Sequence, residues 1–423
     1  MRKPANVSQA QWISSLLLIT VVGGFLLAVP VGILASKIAP WTLPDDAYPA
    51  YDLSYLEGRK YTSAPIPSGE SIFSGAFQSD AESFVADSIP YRDTTLLINS
   101  TLQRSVIEVA AKPFRFETLP GFFDSSYNLS DNGKFYITAE SLTPSEEETV
   151  REQTQEAALA YANFAARHPS STCLVYHVAY SQMSPDNRTI PLVSNAWTSE
   201  DRKECFEPFM GDAISYSDNT DLVDADYYFS TDHHWTIQGA YRTYCDLALK
   251  LGFSPLAFSE DDLMTFGTPF YGTLSRYALN DAVFPDFISD YAFDYPDYEI
   301  TVNGKHVEER GDKSRYQRGE ADPSKFMDRH SEYFGSSETE VIYRNPNNPQ
   351  GKTLLVVRDS YMSDIEPMVA YHYSTVHFLD LRNDDAPQLE TFLSEHPADD
   401  ILFMGSSMLT WESVISKINL ENN

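Results

Sequence analysis

Apolar residues recur along this chain in three distinct spacings, and each predicts a different kind of element. The longest uninterrupted apolar run is Trp12–Ala35, WISSLLLITVVGGFLLAVPVGILA, with no charged residue. At ~1.5 Å rise per residue, such a run spans a bilayer as one helix. Arg2 and Lys3 precede it and Asp45 and Asp46 follow, which places the N-terminus in the cytosol. The run is longer than a usual signal-peptide core and lacks a good small-residue cleavage site, so an uncleaved anchor is expected.

Helical spacing appears next. Phe73, Phe77, Phe84 and Val85, then Leu96, Leu97, Leu102 and Ile107, recur at three- and four-residue intervals, with Pro90 dividing the two halves. Asp87 and Arg92 flank that break and are expected to clamp a turn. Thr143-Pro144-Ser145-Glu146 combines a cap, an N1 proline and the glutamate of a capping box, predicting a helix to Arg167, before Pro169. A further helix is predicted over Gln238–Lys250, stopped by Gly252.

Between these lie short continuous apolar runs of the kind that fill buried parallel strands: Cys173–Tyr180, Lys352–Val357, TVHFLDL from Thr375 and DDILFMG to Gly405. Phe135–Thr138 reads as a shorter strand, and Tyr361–Tyr373 as a helix. The segment YEITVNGKHVE predicts a hairpin turning at Asn303-Gly304. It sits in a stretch rich in Asp and Tyr, residues 275–335, that reads as an insertion. Strands alternating with helices predict an α/β fold: a parallel sheet flanked by helices, with an inserted hairpin region. The predicted order is a cytoplasmic tail (1–11), a transmembrane anchor (12–35), a stalk (36–69) and an extracytoplasmic domain (70–423).

Composition narrows the partners. Of 423 residues, 61 are acidic and 30 basic, giving a formal charge of -31. That balance argues against binding nucleic acid or lying flat on an anionic membrane face. Cys173, Cys205 and Cys245 allow one disulfide with a free thiol, or none, and have no metal-site spacing. No metal or cofactor is expected.

Two short segments carry chemistry. The first, YYFSTDHHWTIQGAY, holds Asp232, His233, His234 and Trp235. In extended backbone, residues two apart share a side, so Asp232 would face His234 while His233 turns away. The second is Asp359-Ser360, which follows the strand KTLLVV and precedes a predicted helix. This is the carboxyl edge of a parallel sheet, where open α/β folds hold ligands. A serine hydroxyl becomes nucleophilic when a base takes its proton, and a carboxylate fixes that base's tautomer. Ser360 as nucleophile, His234 as base and Asp232 as its orienter form such a set. His177 and His306 read as ordinary strand residues.

TDHHWTIQGAY together with LLVVRDSY resembles the DHHW family, related to the alginate O-acetyltransferases within the wider SGNH hydrolase-like group. The likeness extends over most of the chain beyond residue 70, including Asp87, Pro90 and Arg92 and the late FLDLR strand. It implies an SGNH-like fold acting on acetyl esters, with the same three residues in the same roles. It also implies a multispanning membrane acyltransferase as partner and acetyl donor. One departure stands out. Relatives carry a glycine-rich turn with an asparagine before the nucleophile strand, whereas this chain has Tyr333-Phe334-Gly335-Ser336-Ser337. Gly335, Ser336, Arg358 and Tyr361 are therefore the candidates for oxyanion or substrate contacts.

The resulting expectation is a membrane-anchored O-acetyltransferase or acetyl esterase acting on a cell-surface or secreted polysaccharide. The sequence leaves open whether a sugar hydroxyl or water resolves the acyl-enzyme. Two other classes compete. A metal-dependent phosphoesterase shares the Asp-His-His triplet but needs further Asp and His ligands. A non-catalytic glycan-binding protein would use the abundant Tyr and Phe for stacking.

Overall fold

The structure is a computed structural model that describes residues 53–54, 56–57, 59–111, 127–129, 133–137, 142–179, 197–222, 225–279, 284–320 and 326–419. Among these, no helix is long and apolar enough to cross a membrane; the Trp12–Ala35 run lies outside them. The chain forms two compact units, Met1–Ile107 and Glu108–Asn423.

In the first unit the helical spacing produces helices over Gly69–Ser74 and Ala76–Asp87 and the start of Arg92–Ala111, with the break at Pro90 as expected. Asp87 does hold this junction, but mainly through another arginine. Its carboxylate takes Arg59 in a two-pronged pair at 2.6 and 2.9 Å, with Arg92 Nε at 3.5 Å. Arg92 instead forks onto Glu57 at 2.6 and 3.0 Å. The Arg59 bond and charge keep Asp87 well below the usual carboxylate range.

The second unit is built on one eight-stranded sheet. Its strands in chain order are β1 (Thr172–His177), β2 (Ile214–Asp218), β3 (Glu299–Val302), β4 (Lys305–Val307), β5 (Glu340–Arg344), β6 (Thr353–Arg358), β7 (Thr375–Leu379) and β8 (Asp400–Gly405). In space they run β4-β3-β5-β7-β6-β8-β1-β2. The five strands β7, β6, β8, β1 and β2 are mutually parallel. The other three are not: β5 runs antiparallel to both β7 and β3, and β3 to β4. The sheet is therefore mixed, which corrects the expectation of a parallel one. The reason is local. Asn303, in the left-handed region at φ 46°, and Gly304, at φ 76°, make the tight reversal between β3 and β4. The hairpin then adds to β5 and extends the main sheet at its edge, so part of the supposed insertion belongs to the main sheet.

Period-two alternation sorts the strands' side chains to two faces. On β8, Leu402 and Met404 join a core with Trp235, Tyr244 and Tyr361, while Ile401 and Phe403 join Tyr161, Phe164 and Leu409 on the opposite side. Two helices frame the site. Helix α1 (Pro144–Arg167) carries the expected capping box, Glu146 N–H to Thr143 Oγ1 at 3.3 Å and Thr143 N–H to Glu146 Oε2 at 2.8 Å. Helix α2 (Ile237–Lys250) starts on Thr236 and buries Ala240, Tyr244 and Leu247. The predicted helix after Ser360 is shorter and broken. A 3₁₀ turn, Ser360–Asp364, leads into Glu366–Ala370, because Pro367 fits only a first helical turn and restarts the winding there.

Candidate active site

Asp232, His233 and His234 lie in a loop that closes on itself just before α2. Phe229 N–H donates to His234 O (3.1 Å), Thr236 N–H donates to Tyr227 O (2.8 Å), and Trp235 is fully buried beneath. Within this loop His234 N–H turns back to Asp232 Oδ1 at 3.0 Å, an Asx-turn. The same oxygen lies 2.6 Å from His234 Nδ1. Asp232 Oδ2 accepts from Thr273 N–H at 2.7 Å. The carboxylate is thus filled on both oxygens and 1% exposed. A Cβ on Gly272 would fall 2.3 Å from Asp232 Cβ, so only glycine lets the following strand-end backbone close over it. Thr231 secures the other flank, receiving Gly272 N–H on Oγ1 (2.9 Å) and donating to Asp286 Oδ2 (2.6 Å).

The Asx-turn also corrects one expectation. Because 231–234 bends rather than extends, the two-residue alternation fails for His233. Its ring does not turn away but sits 3.9 Å from the His234 ring, centroid to centroid, with Nδ1 3.5 Å from Asp232 Oδ1. Tyr361 fixes that stretch by donating its hydroxyl to His233 O at 2.7 Å.

Ser360 enters from the end of β6. Asp359 caps the 3₁₀ turn through Tyr361 N–H at 3.2 Å. Ser360 Oγ then lies 2.8 Å from His234 Nε2. The structure therefore brings Asp232, His234 and Ser360 into one continuous chain of hydrogen bonds, with His234 and Ser360 126 residues apart in sequence.

Burial sets the charges here. Burial, and the neighbouring His233 and His330 rings, hold His234 well below its ordinary range against the pull of Asp232. Burial works to raise Asp232, yet the surrounding histidines and the His234 bond hold it well below the usual carboxylate value. The pair thus has an ionised acid and a neutral base, the state in which Nε2 accepts a proton. Asp232, His233 and His234 also offer atoms within 4.8 Å of one another that could gather on a cation. Doing so through His234 would take a nitrogen from Asp232 or Ser360.

A small cavity of about 80 Å³ opens beside Ser360, lined by His233, Arg382, Ser406, Ser407 and Trp411 among others. Apart from His233, these residues follow the ends of β7 and β8, next to the end of β6. Ser406 gives both its N–H and its hydroxyl to Asp359 Oδ2, at 2.8 and 2.9 Å. Arg382 forks onto Asp380 and lies 5.9 Å from the Trp411 ring.

The four candidate contact residues fare differently. Tyr361 lines the cavity, but its N–H is taken by Asp359. Gly335 N–H donates to Ser331 O at 2.9 Å, and Ser336 O accepts from Arg310 at 2.8 Å. Neither Gly335 nor Ser336 lines the Ser360 cavity. Arg358 is fully buried, 3.4 Å from Glu366, which also holds Arg310 at 3.1 Å. His330, Ser406, Arg382 and Trp411 were missed from the sequence. The legible hint was Gly405-Ser406-Ser407, a small polar step after a buried strand; His330 lay in a helix with no motif around it.

His177 behaves as a buried strand residue, held beside Arg202, and all three cysteines are free thiols.

Residues 210–379 match the model of the DHHW protein family, a span running from just before β2 to the end of β7 and containing both the DHHW run and Ser360. No curated protein matches significantly. Among solved structures, a DHHW family protein from Eubacterium siraeum DSM 15702 is 16% identical, with a TM-score of 0.53, covering 71% of this chain and 97% of that one. Bacillus cereus PatB1, solved with a sulfonyl adduct, is also 16% identical, with a TM-score of 0.51 and coverages of 69% and 96%. The O-acetyltransferase domain of Pseudomonas putida AlgJ superposes less well, at a TM-score of 0.41 and 12% identity over 69% and 98%, and nothing rests on it. At these identities the likeness establishes the fold, and the DHHW resemblance read from the motif is borne out.

Proposed function

Starting from the DHHW-family match over residues 210–379, we propose that this chain is a serine-dependent O-acetyltransferase or acetyl esterase acting on a polysaccharide. The observation that carries the reading is the unbroken line from Asp232 through His234 to Ser360, at 2.6 and 2.8 Å. Its chemistry is acyl transfer. Ser360 Oγ bonds to the carbonyl carbon of an acetyl ester as its proton passes to His234 Nε2. The tetrahedral centre then collapses, the bond to the donor oxygen breaks, and that oxygen leaves with the proton from His234. In the second half a sugar hydroxyl, or water, gives its proton to His234 and attacks the acyl carbon, and Ser360 Oγ takes the proton back. Asp232 holds the tautomer with Nε2 free and stabilises the imidazolium formed at each step.

The sulfonyl adduct of PatB1 suits this reading, since sulfonyl reagents are a standard trap for activated nucleophiles. The Trp12–Ala35 anchor, an extracytoplasmic body and a multispanning membrane acyltransferase as acetyl donor complete the proposal. The rival reading, a non-catalytic glycan-binding protein, draws support from one feature: the N–H groups of Tyr361 and Gly335 are already occupied, so neither is a ready oxyanion donor. Turnover of a chromogenic acetyl ester by the full chain, with and without oligosaccharide acceptors, separates the two. Turnover lost in Ser360→Ala supports the enzyme; glycan binding without turnover overturns it.

A further inference from the structure

A second histidine–aspartate pair lies directly behind the first. The His330 imidazole stacks on His234 with centroids 3.6 Å apart and planes 3° from parallel. Its Nε2 is 2.7 Å from Asp364 Oδ1, and both residues are 1% exposed. His330 Nδ1 has no hydrogen-bond partner, so Asp364 is its polar tether among the described residues. Asp364 ends the same 3₁₀ turn that Ser360 begins. The second pair is therefore tied to the nucleophile at one end and to the base at the other.

Resting on the acyl-transfer reading above, we propose that His330, charged and anchored by Asp364, is a positioning residue that holds the His234 ring in plane and keeps it in its neutral, proton-accepting form. A cation stacked at 3.6 Å attracts the π face of a neutral imidazole and repels an imidazolium. Two rings locked within 3° of parallel also leave His234 little freedom to rotate Nε2 away from Ser360. Carboxylates predominate among the charged groups that face His330. Facing His330 are Asp364 from the 3₁₀ turn, Asp232 and His234 from the DHHW loop, and Asp328 at the start of its own helix. His233 adds a third ring against His234, while Asp290 and Lys313 flank Asp364. Burial opposes the His330 charge, but the Asp364 attraction and hydrogen bond outweigh it and raise His330 above its ordinary value.

The test is the rate of Ser360 sulfonylation by an aryl sulfonyl fluoride in the full chain, followed by mass spectrometry across pH. The rate reads the neutral fraction of His234. His330→Phe keeps an aromatic stack without charge, and Asp364→Asn keeps a hydrogen-bond acceptor while removing the countercharge. Both are expected to move the midpoint of the acid limb upward, by about half a pH unit or more. If His330→Phe fails to fold, Asp364→Asn carries the test alone. An unmoved or lowered midpoint in a folded variant overturns the proposal while leaving the acyl-transfer reading intact. A wild-type chain unreactive at Ser360 at every pH overturns both.

Discussion

The Asp359 carboxylate ties Ser406 to the nucleophile turn: Oδ2 accepts the Ser406 N–H at 2.8 Å and hydroxyl at 2.9 Å, while Oδ1 accepts Tyr361 N–H at 3.2 Å. One side chain thus joins the ends of two neighbouring parallel strands and sets the wall of the cavity beside Ser360. Asp359→Ala would remove the carboxylate that accepts two buried N–H groups, at roughly 1–3 kcal/mol. The expected result is a lower melting temperature together with slower Ser360 sulfonylation, read by calorimetry and mass spectrometry.

Asp232→Asn tests the orienter. An amide there can no longer fix the Nδ1–H tautomer or stabilise the imidazolium. Acetyl-ester kcat should fall about 10²- to 10⁴-fold with little change in KM, in steady-state kinetics. An unchanged kcat would remove Asp232 from the mechanism.

Gly272→Ala tests how that carboxylate is enclosed. The added Cβ would meet Asp232 at 2.3 Å, and overpacking of this kind costs about 1–3 kcal/mol. A reduced melting temperature accompanied by reduced turnover is expected. Full activity would show that the loop carrying Asp232 yields freely.

Most of the parallel half of the sheet was legible, because β1, β6, β7 and β8 are continuous apolar runs with a single possible reading. Two strands escaped. β2 reads Ile214-Ser215-Tyr216-Ser217-Asp218 and β5 opens on Glu340, so neither is apolar enough to stand out before its neighbours bury it. β2 lies at the sheet edge, and β5 is held between β3 and β7. The Asp232–His234 contact was foreseen on the wrong backbone: an Asx-turn makes it, and that turn is why His233 stays at the site. His330 was beyond reach, since its meaning comes from a stack on a ring nearly a hundred residues earlier.

The pH dependence of turnover follows from His234. Its folded value lies well below the ordinary 6.5, lowered by burial and the adjacent rings. The base works when neutral, so on acidification activity should persist below pH 6.5 and disappear only as His234 finally protonates. A kcat/KM profile with its acid midpoint at or above 6.5 would contradict this.

Glu366→Ala should unfold rather than inactivate. Glu366 is fully buried and holds Arg310 at 3.1 Å and Arg358 at 3.4 Å. Removing it takes the carboxylate from buried Arg358 and leaves Arg310 with only Glu338 and Ser336 O, a change that costs about 3–5 kcal/mol. Chemical denaturation should show a midpoint shift of that size, and a negligible shift would mean the arginines find water.

The most direct measurement is the site of covalent capture by an aryl sulfonyl fluoride in the full chain. An activated serine predicts one adduct, on Ser360, that vanishes in His234→Ala while the fold is retained. No adduct on Ser360, or equal labelling without His234, would contradict it.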